Sequence, residues 1–458
     1  MNRQLACARL FRLAFSAYVV FFIRPFPVKA HSLEAADRLA ARVDKWVKPY
    51  EQAGDFSGVV LIAQGDSILV EKAYGWADFL RKVPNRPETR FRIASLSKTF
   101  TAAAIELLIQ EKRLKLDNSL SQYVSGIANG EKITLEQLLR HESGVGVVDD
   151  PDAYQNCLGT SDFLARLRNA KPLFQPGTSG QYSNEGYFLL ALVIEKISGS
   201  SYENFLQKNI FGSLGMKNTG SACKELPLGA NATGNVPGAG NGAVIPLPFN
   251  EATQIGPGSI YSNARDLRIW LRAVDTNPSF GTKALTYPYG WGKRNYSGRN
   301  LIEQSGILEG FNAHIALYPA EHIYAVVLSN IQSGFFNRIP KDLEAVLFGG
   351  ETSTPALARA IDIAPLQLEE YGGEYSSPAI SYHQTLWAQD GKLCMRWGSF
   401  PFSRALTPTG KDQFFLRYEY AEVRFERDRT GKVVRMNWQW PQGPPMVFQK
   451  LEHDSDSH

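Results

Sequence analysis

The sequence is poor in cysteine and lacks the common metal-binding patterns. Only four of its 458 residues are cysteine, and Cys7 lies within a segment that resembles a leader. The other three, Cys157, Cys223 and Cys394, are too few for a disulfide framework or a metal cluster. A Cys157–Cys223 bridge is compatible with an oxidising compartment. Because the histidines are scattered, with no HExxH and no paired CxxC, we expect no metal and no cofactor.

Long hydrophobic runs are also missing outside the N-terminus. There, Arg3, Arg9 and Arg12 precede an apolar run at residues 13–23. This run, followed by the small-x-small pattern Val28-Lys29-Ala30, predicts a signal peptide over residues 1–30. The run has about 11 residues, too few to span a bilayer comfortably. We therefore expect an exported chain, periplasmic or secreted, with no stable membrane span after cleavage; an uncleaved N-terminal anchor is the alternative.

An excess of charge of one sign is absent from the rest of the chain. The formal net charge is +4, but residues 1–30 hold five basic residues and no acidic ones. Without them, 44 Lys and Arg stand against 45 Asp and Glu. This balance gives no electrostatic reason to expect nucleic acid or an anionic membrane as a partner. With 44% hydrophobic residues, the composition is that of a globular chain of more than one domain.

The order of hydrophobic patterns predicts a large α+β domain over residues 31–350. Strand-like segments near its start, at 57–63 and 67–71, and near its end, at 314–318 and 324–328, enclose a helix-rich middle. Strands at both ends with helices between them are typical of one α+β domain whose ends share a sheet.

The composition and the hydrophobic pattern of the chain change after residue 350. Residues 351–365 contain Thr, Ser and Pro and are predicted to be a linker. Short aromatic-rich strands separated by turns predict a small antiparallel β-barrel over residues 366–450. Residues 451–458 are polar and are expected to be a disordered tail. Four tryptophans of this region are expected in the barrel core rather than on a ligand surface, namely Trp387, Trp397, Trp438 and Trp440.

An S-x-x-K motif places a serine and a lysine one helical turn apart. Ser95-Leu96-Ser97-Lys98 follows a strand-like segment and begins a helix, so the Lys98 amine can reach the Ser95 hydroxyl. Serine is a weak nucleophile that needs a nearby base, and lysine is a base only if its pKa is lowered. Alone the motif is weak, because Ser95 could simply cap a helix. A second match at residues 221–224 has no helical pattern after it.

A Y-x-N motif provides a second candidate group. Tyr182-Ser183-Asn184 follows a Pro-Gly turn and precedes a helix that begins at Asn184. A phenol beside Lys98 could relay a proton, and the Asn184 amide could hold Lys98 and a substrate carbonyl. The alternative is that Tyr182 packs in the core and Asn184 caps a helix. The same pattern occurs three more times without this context, at Tyr154, Tyr202 and Tyr261.

Taken together, these motifs resemble the β-lactamase-related serine hydrolases, which include class C β-lactamases, D-Ala-D-Ala carboxypeptidases, D-aminopeptidases and esterases. The resemblance covers roughly residues 35–348. It implies an antiparallel sheet with flanking helices, an all-helical subdomain and an acyl-enzyme on Ser95. It also implies that Lys98 and Tyr182 move the proton, with either of them as the resting base. Further segments fit the same pattern, namely Leu138–Gly144, Phe174–Gly177, Phe211–Met216 and Gly256–Leu267.

The third family motif differs in this chain. The family has Lys, His or Trp, one residue and Gly on the strand that faces the nucleophile, whereas this chain has Gln304-Ser305-Gly306. A neutral amide cannot pair with a substrate carboxylate as a cation can, which argues against recognition of β-lactam or D-Ala-D-Ala carboxylates. The resemblance implies an oxyanion hole formed by the backbone amides of Ser95 and Ile307, with residues 304–306 beside the substrate.

The sequence therefore predicts a serine hydrolase that cleaves an amide or ester bond of a small peptide-like or ester substrate through Ser95. A true β-lactamase and a non-catalytic cell-wall binding protein are the alternatives. His141 invites a Ser–His interpretation, but the resemblance implies a structural role, and no G-x-S-x-G elbow occurs. The barrel resembles the accessory barrels of D-aminopeptidase-like relatives and is expected to cover or shape the cleft.

If only the missing charge separates this chain from the β-lactamases, Gln304→Lys should increase the turnover of a β-lactam. The measurement is the hydrolysis rate of a chromogenic β-lactam, with hydrolysis of a nitrophenyl ester as the control. Ester hydrolysis at the unchanged rate without any gain on the β-lactam would count against this explanation of Gln304.

Overall fold

The computed structural model describes the chain in twelve stretches, and three sequence predictions fall outside them. The signal peptide at residues 1–30, the pair Cys157 and Cys223, and all but the first residue of the predicted tail lie beyond the described residues. None of the described helices is long and apolar enough to cross a membrane. The described stretches are residues 36–148, 158–222, 230–238, 242, 244–247, 254–280, 289–354, 361, 364–378, 383–398, 403–440 and 444–451.

Helices and strands alternate along the first three quarters of the chain, and strands dominate the last quarter. The described α-helices are α1 (Ala36–Ala53), α2 (Ser97–Gln110), α3 (Leu135–Leu139), α4 (Thr160–Asn169), α5 (Asn184–Ser198), α6 (Tyr202–Leu206), α7 (Gly212–Leu214), α8 (Ala264–Thr276), α9 (Ile339–Phe348) and α10 (Pro365–Glu369). The strands before the barrel are β1 (Gly58–Gln64), β2 (Ser67–Tyr74), β3 (Trp76–Asp78), β4 (Val83–Pro84), β5 (Phe91–Arg92), β6 (Gly220–Ser221), β7 (Asn235–Pro237), β8 (Val244–Pro246), β9 (Ile260–Ser262), β10 (Gly292–Tyr296), β11 (Arg299–Leu308), β12 (Phe311–Tyr318) and β13 (Ile323–Ser329). The barrel strands are β14 (Gly373–Ser376), β15 (Gln384–Gln389), β16 (Lys392–Trp397), β17 (Arg404–Gly410), β18 (Gln413–Leu416), β19 (Ala421–Arg427), β20 (Val433–Gln439) and β21 (Met446–Lys450).

A six-stranded antiparallel sheet joins the two ends of the large domain. Its strand order is β10-β11-β12-β13-β1-β2, and β1 pairs with β13 from Gly58↔Ser329 to Gln64↔Ile323. Strands from the beginning and the end of the domain therefore share one sheet, as the sequence patterns predict. The α+β prediction is confirmed.

Both faces of this sheet are covered, which explains why β1 and β13 are apolar at consecutive positions. Side chains alternate between the faces of a strand, and on β1 Val59 and Leu61 belong to one core cluster. Val60 and Ile62 belong to another. The first cluster contains α2, α5 and α8, whereas the second contains α1 and α9. The helical middle of the domain therefore lies on the same side of the sheet as the S-x-x-K helix α2.

The C-terminal region is a closed barrel of eight antiparallel strands. Each strand from β14 to β21 pairs with the next, and β21 pairs with β14, which confirms the predicted antiparallel barrel. Apolar side chains fill its interior, as is usual for barrels of this size. Of its tryptophans, Trp438 is buried in this core, whereas Trp397 and Trp440 pack at its edge. Trp387 is only partly buried and is not one of the residues of this core cluster, so the core prediction is wrong for part of this set.

A buried ion pair attaches the barrel to the large domain. Arg417 Nη2 lies 2.6 Å from Asp55 Oδ1, and both side chains are almost fully buried. The other carboxylate oxygen of Asp55 accepts a hydrogen bond of 2.6 Å from Tyr420. Arg417 also donates to the carbonyl oxygens of Ala53 and, at 2.9 Å, of Gly238. Because these contacts join segments more than 170 residues apart, they determine where the barrel sits.

Removing one partner of this pair should destabilise the protein strongly. Asp55→Ala leaves the Arg417 guanidinium buried without its carboxylate, and we expect the free energy of unfolding to fall by about 3–5 kcal/mol. The measurement is the urea denaturation midpoint. As the matched control, Glu422→Ala removes an exposed partner of Arg424 and should cost at most about 1 kcal/mol. Equal losses in the two variants would contradict the docking role of Asp55.

Candidate active site

The Ser95 hydroxyl stands at the beginning of a buried helix. A 3₁₀ turn at Ala94–Leu96 leads directly into α2. Ala94, just before the serine, has a φ of 48°, in the left-handed region. This conformation is costly for a residue other than glycine and persists only where the surroundings enforce it. Ser97 is part of those surroundings, because its hydroxyl accepts a hydrogen bond of 3.2 Å from the amide of Ile260.

The Lys98 amine is fully buried behind Ser95. Its Nζ atom lies 3.1 Å from Ser95 Oγ, donates to Asn184 Oδ1 at 2.8 Å and to Pro257 O at 3.2 Å. Burial lowers the pKa of Lys98 to about 7, although the negative charge of Glu185 opposes this effect. Near neutral pH, Lys98 is thus present in both charged and neutral forms. This satisfies the condition under which a lysine can act as a base.

The Tyr182 hydroxyl contacts Ser95 from the other side. It donates a hydrogen bond of 2.7 Å to Ser95 Oγ, and desolvation raises its pKa to about 12 even though Ser95 lowers it. The phenol is therefore protonated at neutral pH. Lys98 Nζ lies 4.6 Å from the centroid of the Tyr182 ring, so the hydroxyls and the amine of the three residues form one cluster. Although over half of the residue is exposed, its hydroxyl contacts Ser95 and one face of its ring packs against Lys98.

The His141 ring supports Tyr182. Its centroid lies 4.7 Å from that of Tyr182, and its Nδ1 accepts a hydrogen bond of 3.0 Å from the amide of Ser183. Burial, together with the charge of Lys98, lowers the pKa of His141 to about 4. A neutral imidazole that accepts from the backbone and stacks on Tyr182 agrees with a structural role rather than a Ser–His pair.

The start of α5 brings Asn184 into the cluster. Ser183 is the N-cap of α5, and its hydroxyl accepts a hydrogen bond of 2.9 Å from the amide of Gly186. The next side chain, Asn184, points to Lys98, while Glu185 is buried and accepts from the amide of Val148 at 3.2 Å. The local helix start therefore aims a neutral amide at Lys98 and keeps a carboxylate close enough to affect its pKa.

The edge of β11 approaches the nucleophile very closely. Among the described strands, β10 pairs with β11 only as far as Glu303, and beyond this residue the edge of β11 faces the Ser95 turn. A Cβ atom on Gly306 would lie 2.3 Å from Ile93 O and 3.0 Å from Ser95 N. Only glycine permits this approach, and it brings Ile307 to the same cavity as Ser95.

The side chains of Gln304 and Ser305 form hydrogen bonds within the protein. Gln304 Nε2 donates to Gly290 O at 2.7 Å, and Gln304 Oε1 accepts from the amide of Ser305 at 3.0 Å. The Ser305 hydroxyl lies 2.9 Å from Nδ1 of His314, whose pKa burial lowers to about 3. Each polar atom of the Gln304 amide thus makes one hydrogen bond to the backbone.

A cavity of about 280 Å³ opens beside the nucleophile. Its lining includes Ser95, Asn184 and Ile307 from the large domain, and Arg404 and Trp397 from the barrel. The expectation that the barrel shapes the cleft therefore agrees with the structure. The described residues that line the cavity include acidic, basic and aromatic side chains as well as the nucleophile.

The structure brings together most of the residues selected from the sequence, and it adds others. Ser95, Lys98, Tyr182 and Asn184 form one hydrogen-bonded cluster. No sequence pattern points to the carbonyl of Pro257, because a backbone acceptor has no residue signature. Residues of the site that the sequence analysis did not select are Phe163, Glu185, Gln254, Pro257, Glu309, Gln332, Arg404 and Tyr418.

Comparison with protein families matches this arrangement to a known one. The family model described as β-lactamase matches residues 43–347, which is two thirds of the chain and contains the whole Ser95 cluster. The chain belongs to the β-lactamase family. The predicted resemblance is confirmed, and with it the coarse assignment to a family of serine hydrolases. A domain of unknown function, DUF3471, matches residues 357–453, the region that contains the barrel.

Individual relatives agree with this assignment. Penicillin-binding protein 4* of Bacillus subtilis is 27% identical over 419 residues, which cover 81% of this chain and 90% of that protein. Protein flp of Staphylococcus aureus strain N315 is 28% identical over 334 residues. The matched region is 66% of this chain, and the chain spans only 65% of the staphylococcal protein.

Solved structures confirm the β-lactamase/transpeptidase-like fold. A penicillin-binding protein from Bacillus halodurans is 27% identical, with a TM-score of 0.59 over 67% of this chain and 98% of that one. An octameric penicillin-binding protein homologue from Pyrococcus abyssi is 21% identical, with a TM-score of 0.60 over 90% and 99% of the two chains. A D-amino acid amidase from Ochrobactrum anthropi has a TM-score of 0.57 at 21% identity, over 68% and 97%.

The pKa of Lys98 predicts how activity depends on pH. If the neutral amine is the base, kcat/KM should rise with pH, reach half of its maximum near pH 7 and then level off, because only the deprotonated form can accept a proton. The measurement is the initial rate of nitrophenyl acetate hydrolysis across neutral pH. His141 cannot produce this rise, because its pKa is about 4. A rate that does not change across neutral pH would exclude Lys98 as the base.

Proposed function

We propose that this protein hydrolyses an amide or ester bond of a small peptide-like or ester substrate through an acyl-enzyme on Ser95. One observation carries the proposal. Ser95 Oγ lies between Lys98 Nζ at 3.1 Å and the Tyr182 hydroxyl at 2.7 Å, beside a cavity. A nucleophile within hydrogen-bond reach of two proton-transfer groups is the arrangement that covalent catalysis requires.

Acylation begins with proton transfer from Ser95 to neutral Lys98. Lys98 is the resting base in this proposal, because its pKa is close to neutral whereas Tyr182 keeps its proton up to about pH 12. Ser95 Oγ then attacks the carbonyl carbon, and the backbone amides of Ser95 and Ile307 bind the developing oxyanion. Tyr182 gives its proton to the leaving amine or alcohol, and the resulting phenolate recovers a proton from the Lys98 ammonium.

Deacylation repeats these transfers with water. A water molecule at the vacated leaving-group position loses a proton to Lys98 as it attacks the acyl carbonyl. The tetrahedral intermediate then collapses and releases the acid, while Tyr182 returns a proton to Ser95 Oγ and recovers one from the Lys98 ammonium. Asn184 supports both half-reactions, because its carbonyl oxygen accepts from Lys98 at 2.8 Å and leaves its amide nitrogen available for a substrate carbonyl.

The size of the cavity and the structural neighbours support a small substrate. A cavity of about 280 Å³ accommodates one or two residue-sized groups rather than a folded polymer. Neighbours of this fold include a D-amino acid amidase and a D-stereospecific amidohydrolase, so peptides containing a D-amino acid belong to the proposed substrate range. Residues 1–30, with their signal-peptide pattern, support action in the periplasm or outside the cell.

Replacement of the nucleophile tests the proposal. Ser95→Ala should lower kcat/KM for nitrophenyl acetate by at least about a thousandfold, because no other group replaces the lost nucleophile. Ser221→Ala is the matched control, since Ser221 begins the second S-x-x-K match but its hydroxyl pairs with Ser259 at 2.7 Å. This variant should keep the wild-type rate. Circular dichroism checks that both variants are folded.

Each outcome separates the proposal from its alternatives. A mass increase on Ser95 after brief exposure to the ester, seen by peptide mass spectrometry, supports the acyl-enzyme. Equal rates for wild type and Ser95→Ala would refute Ser95 as the nucleophile. Protection from unfolding by D-peptides without turnover of any ester or peptide would instead favour a binding protein.

A further inference from the structure

One wall of the cavity beside Ser95 belongs to the barrel. Trp397 at the end of β16, Arg404 at the start of β17, and Tyr418 after β18 all line it. Arg404 is only 4% exposed. It is also the single basic side chain among the described residues that line this cavity. A buried cation next to a candidate nucleophile calls for a physical explanation, because burial of a charge is costly unless the charge is paired.

The Arg404 guanidinium is held in one orientation. Its central carbon lies 4.2 Å from the centroid of the Trp397 ring and 4.0 Å from that of Tyr418. One nitrogen, Nη2, contacts both oxygens of Glu309, at 3.1 and 3.3 Å. Glu309 lies in the turn directly after β11, so the cation is connected to the end of the strand that borders the nucleophile. A guanidinium fixed in this way loses little further freedom when it binds a ligand.

The remaining donors of this wall are unsatisfied. Nε and Nη1 of Arg404 are buried and have no hydrogen-bond partner among the residues that the structure describes, and the same holds for the indole Nε1 of Trp397. Buried donors almost always have a partner, and an unsatisfied charged donor is especially costly. All three groups are donors, so the missing partner is a group of acceptors, which binds beside Glu309, the carboxylate that already pairs with Arg404. Carboxylate has the planar shape and the two oxygens that match a guanidinium.

The neutral residue at position 304 makes the cation on the barrel wall significant for substrate binding. The family motif places a cation there, whereas in this chain the Gln304 amide is occupied by Gly290 O and by the amide of Ser305. Position 304 on β11 therefore offers no cationic side chain to a substrate carboxylate. Arg404 brings a cation into the same cavity from the second domain.

We propose that Arg404, with Trp397, binds a carboxylate of the substrate, so that the substrate class is a small ester or peptide with a free carboxylate. This proposal rests on the hydrolase function proposed above and adds a specificity-determining residue to it. Neither free nitrogen of Arg404 is in contact with solvent, so the carboxylate reaches them through a small displacement of the neighbouring lining. Because the site is buried, solvent and salt screen the charge of Arg404 only weakly, which strengthens its attraction to the carboxylate.

A pair of esters that differ only in this charge tests the proposal. The probes are 3-acetoxybenzoate and its neutral analogue 3-acetoxybenzamide, and the readout is the ratio of their kcat/KM values. We expect the wild type to prefer the carboxylate by about ten- to a hundredfold, and Arg404→Gln to lose that preference. Arg404→Lys keeps the positive charge but lacks the planar guanidinium, and it should keep part of the preference for the carboxylate.

Arg424→Gln is the matched control. Arg424 is in the same barrel and carries the same charge, but it is exposed and pairs with Glu422. This variant should keep the wild-type ratio. A ratio near one in the wild type, or an unchanged ratio in Arg404→Gln, would overturn the proposal. Because Arg404→Gln removes the ion pair of buried Glu309, the double variant Glu309→Gln/Arg404→Gln is measured beside it; a wild-type ratio near one overturns the proposal even if neither variant folds.

A binding measurement separates this inference from the hydrolase function. The product 3-hydroxybenzoate should raise the Tm of the wild type more than 3-hydroxybenzamide does, and Arg404→Gln should abolish the difference. This result would support the carboxylate site even if neither ester is hydrolysed, in which case the proposed function fails. Hydrolysis of both esters that depends on Ser95, with equal kcat/KM values and equal Tm shifts, would leave the hydrolase function intact and refute the role of Arg404.

Discussion

Burial of the Lys98 amine is the constraint on which the rest of the site depends. The side chain has no exposed surface, and its three acceptors come from Ser95, Asn184 and Pro257. Burial makes the neutral amine accessible near pH 7, while the three acceptors keep the charged form tolerable. A surface lysine would stay protonated at neutral pH, and a buried lysine without acceptors would not retain its proton. The site thus holds a lysine that can both accept and return a proton.

The other groups of the cluster are arranged around this lysine. Tyr182 places its ring over the amine and its hydroxyl on Ser95, and His141 supports that ring from behind. His141 stays neutral because it is buried and because Lys98 is near. Glu185 provides a negative charge that raises the pKa of Lys98 and so opposes the effect of burial.

The barrel participates in the site rather than lying apart from it. Two buried ion pairs connect the domains, Asp55 with Arg417 and Glu309 with Arg404. The first fixes the position of the barrel, and the second lies at the cavity itself. Gln332, between these pairs, donates a hydrogen bond to Tyr418. The wall that faces the substrate is therefore built from both domains, and changes that loosen the interface should also alter the cavity.

Local patterns in the sequence determined the S-x-x-K and Y-x-N groups and the α+β and barrel classes. Ser95 and Lys98 are three residues apart at the start of a helix, so their relative geometry follows from short-range rules. The start of α5 at Asn184 is also local, but its contact with Lys98, 86 residues away, is tertiary. The hydrophobic patterns that predict the strands are likewise local and do not depend on distant residues. The sequence showed a missing cation at Gln304, but only the tertiary structure placed Arg404 in the cavity. Contacts between residues 95 apart, such as Glu309 and Arg404, leave no periodic or spacing signal, because they arise when separately folded surfaces pack together.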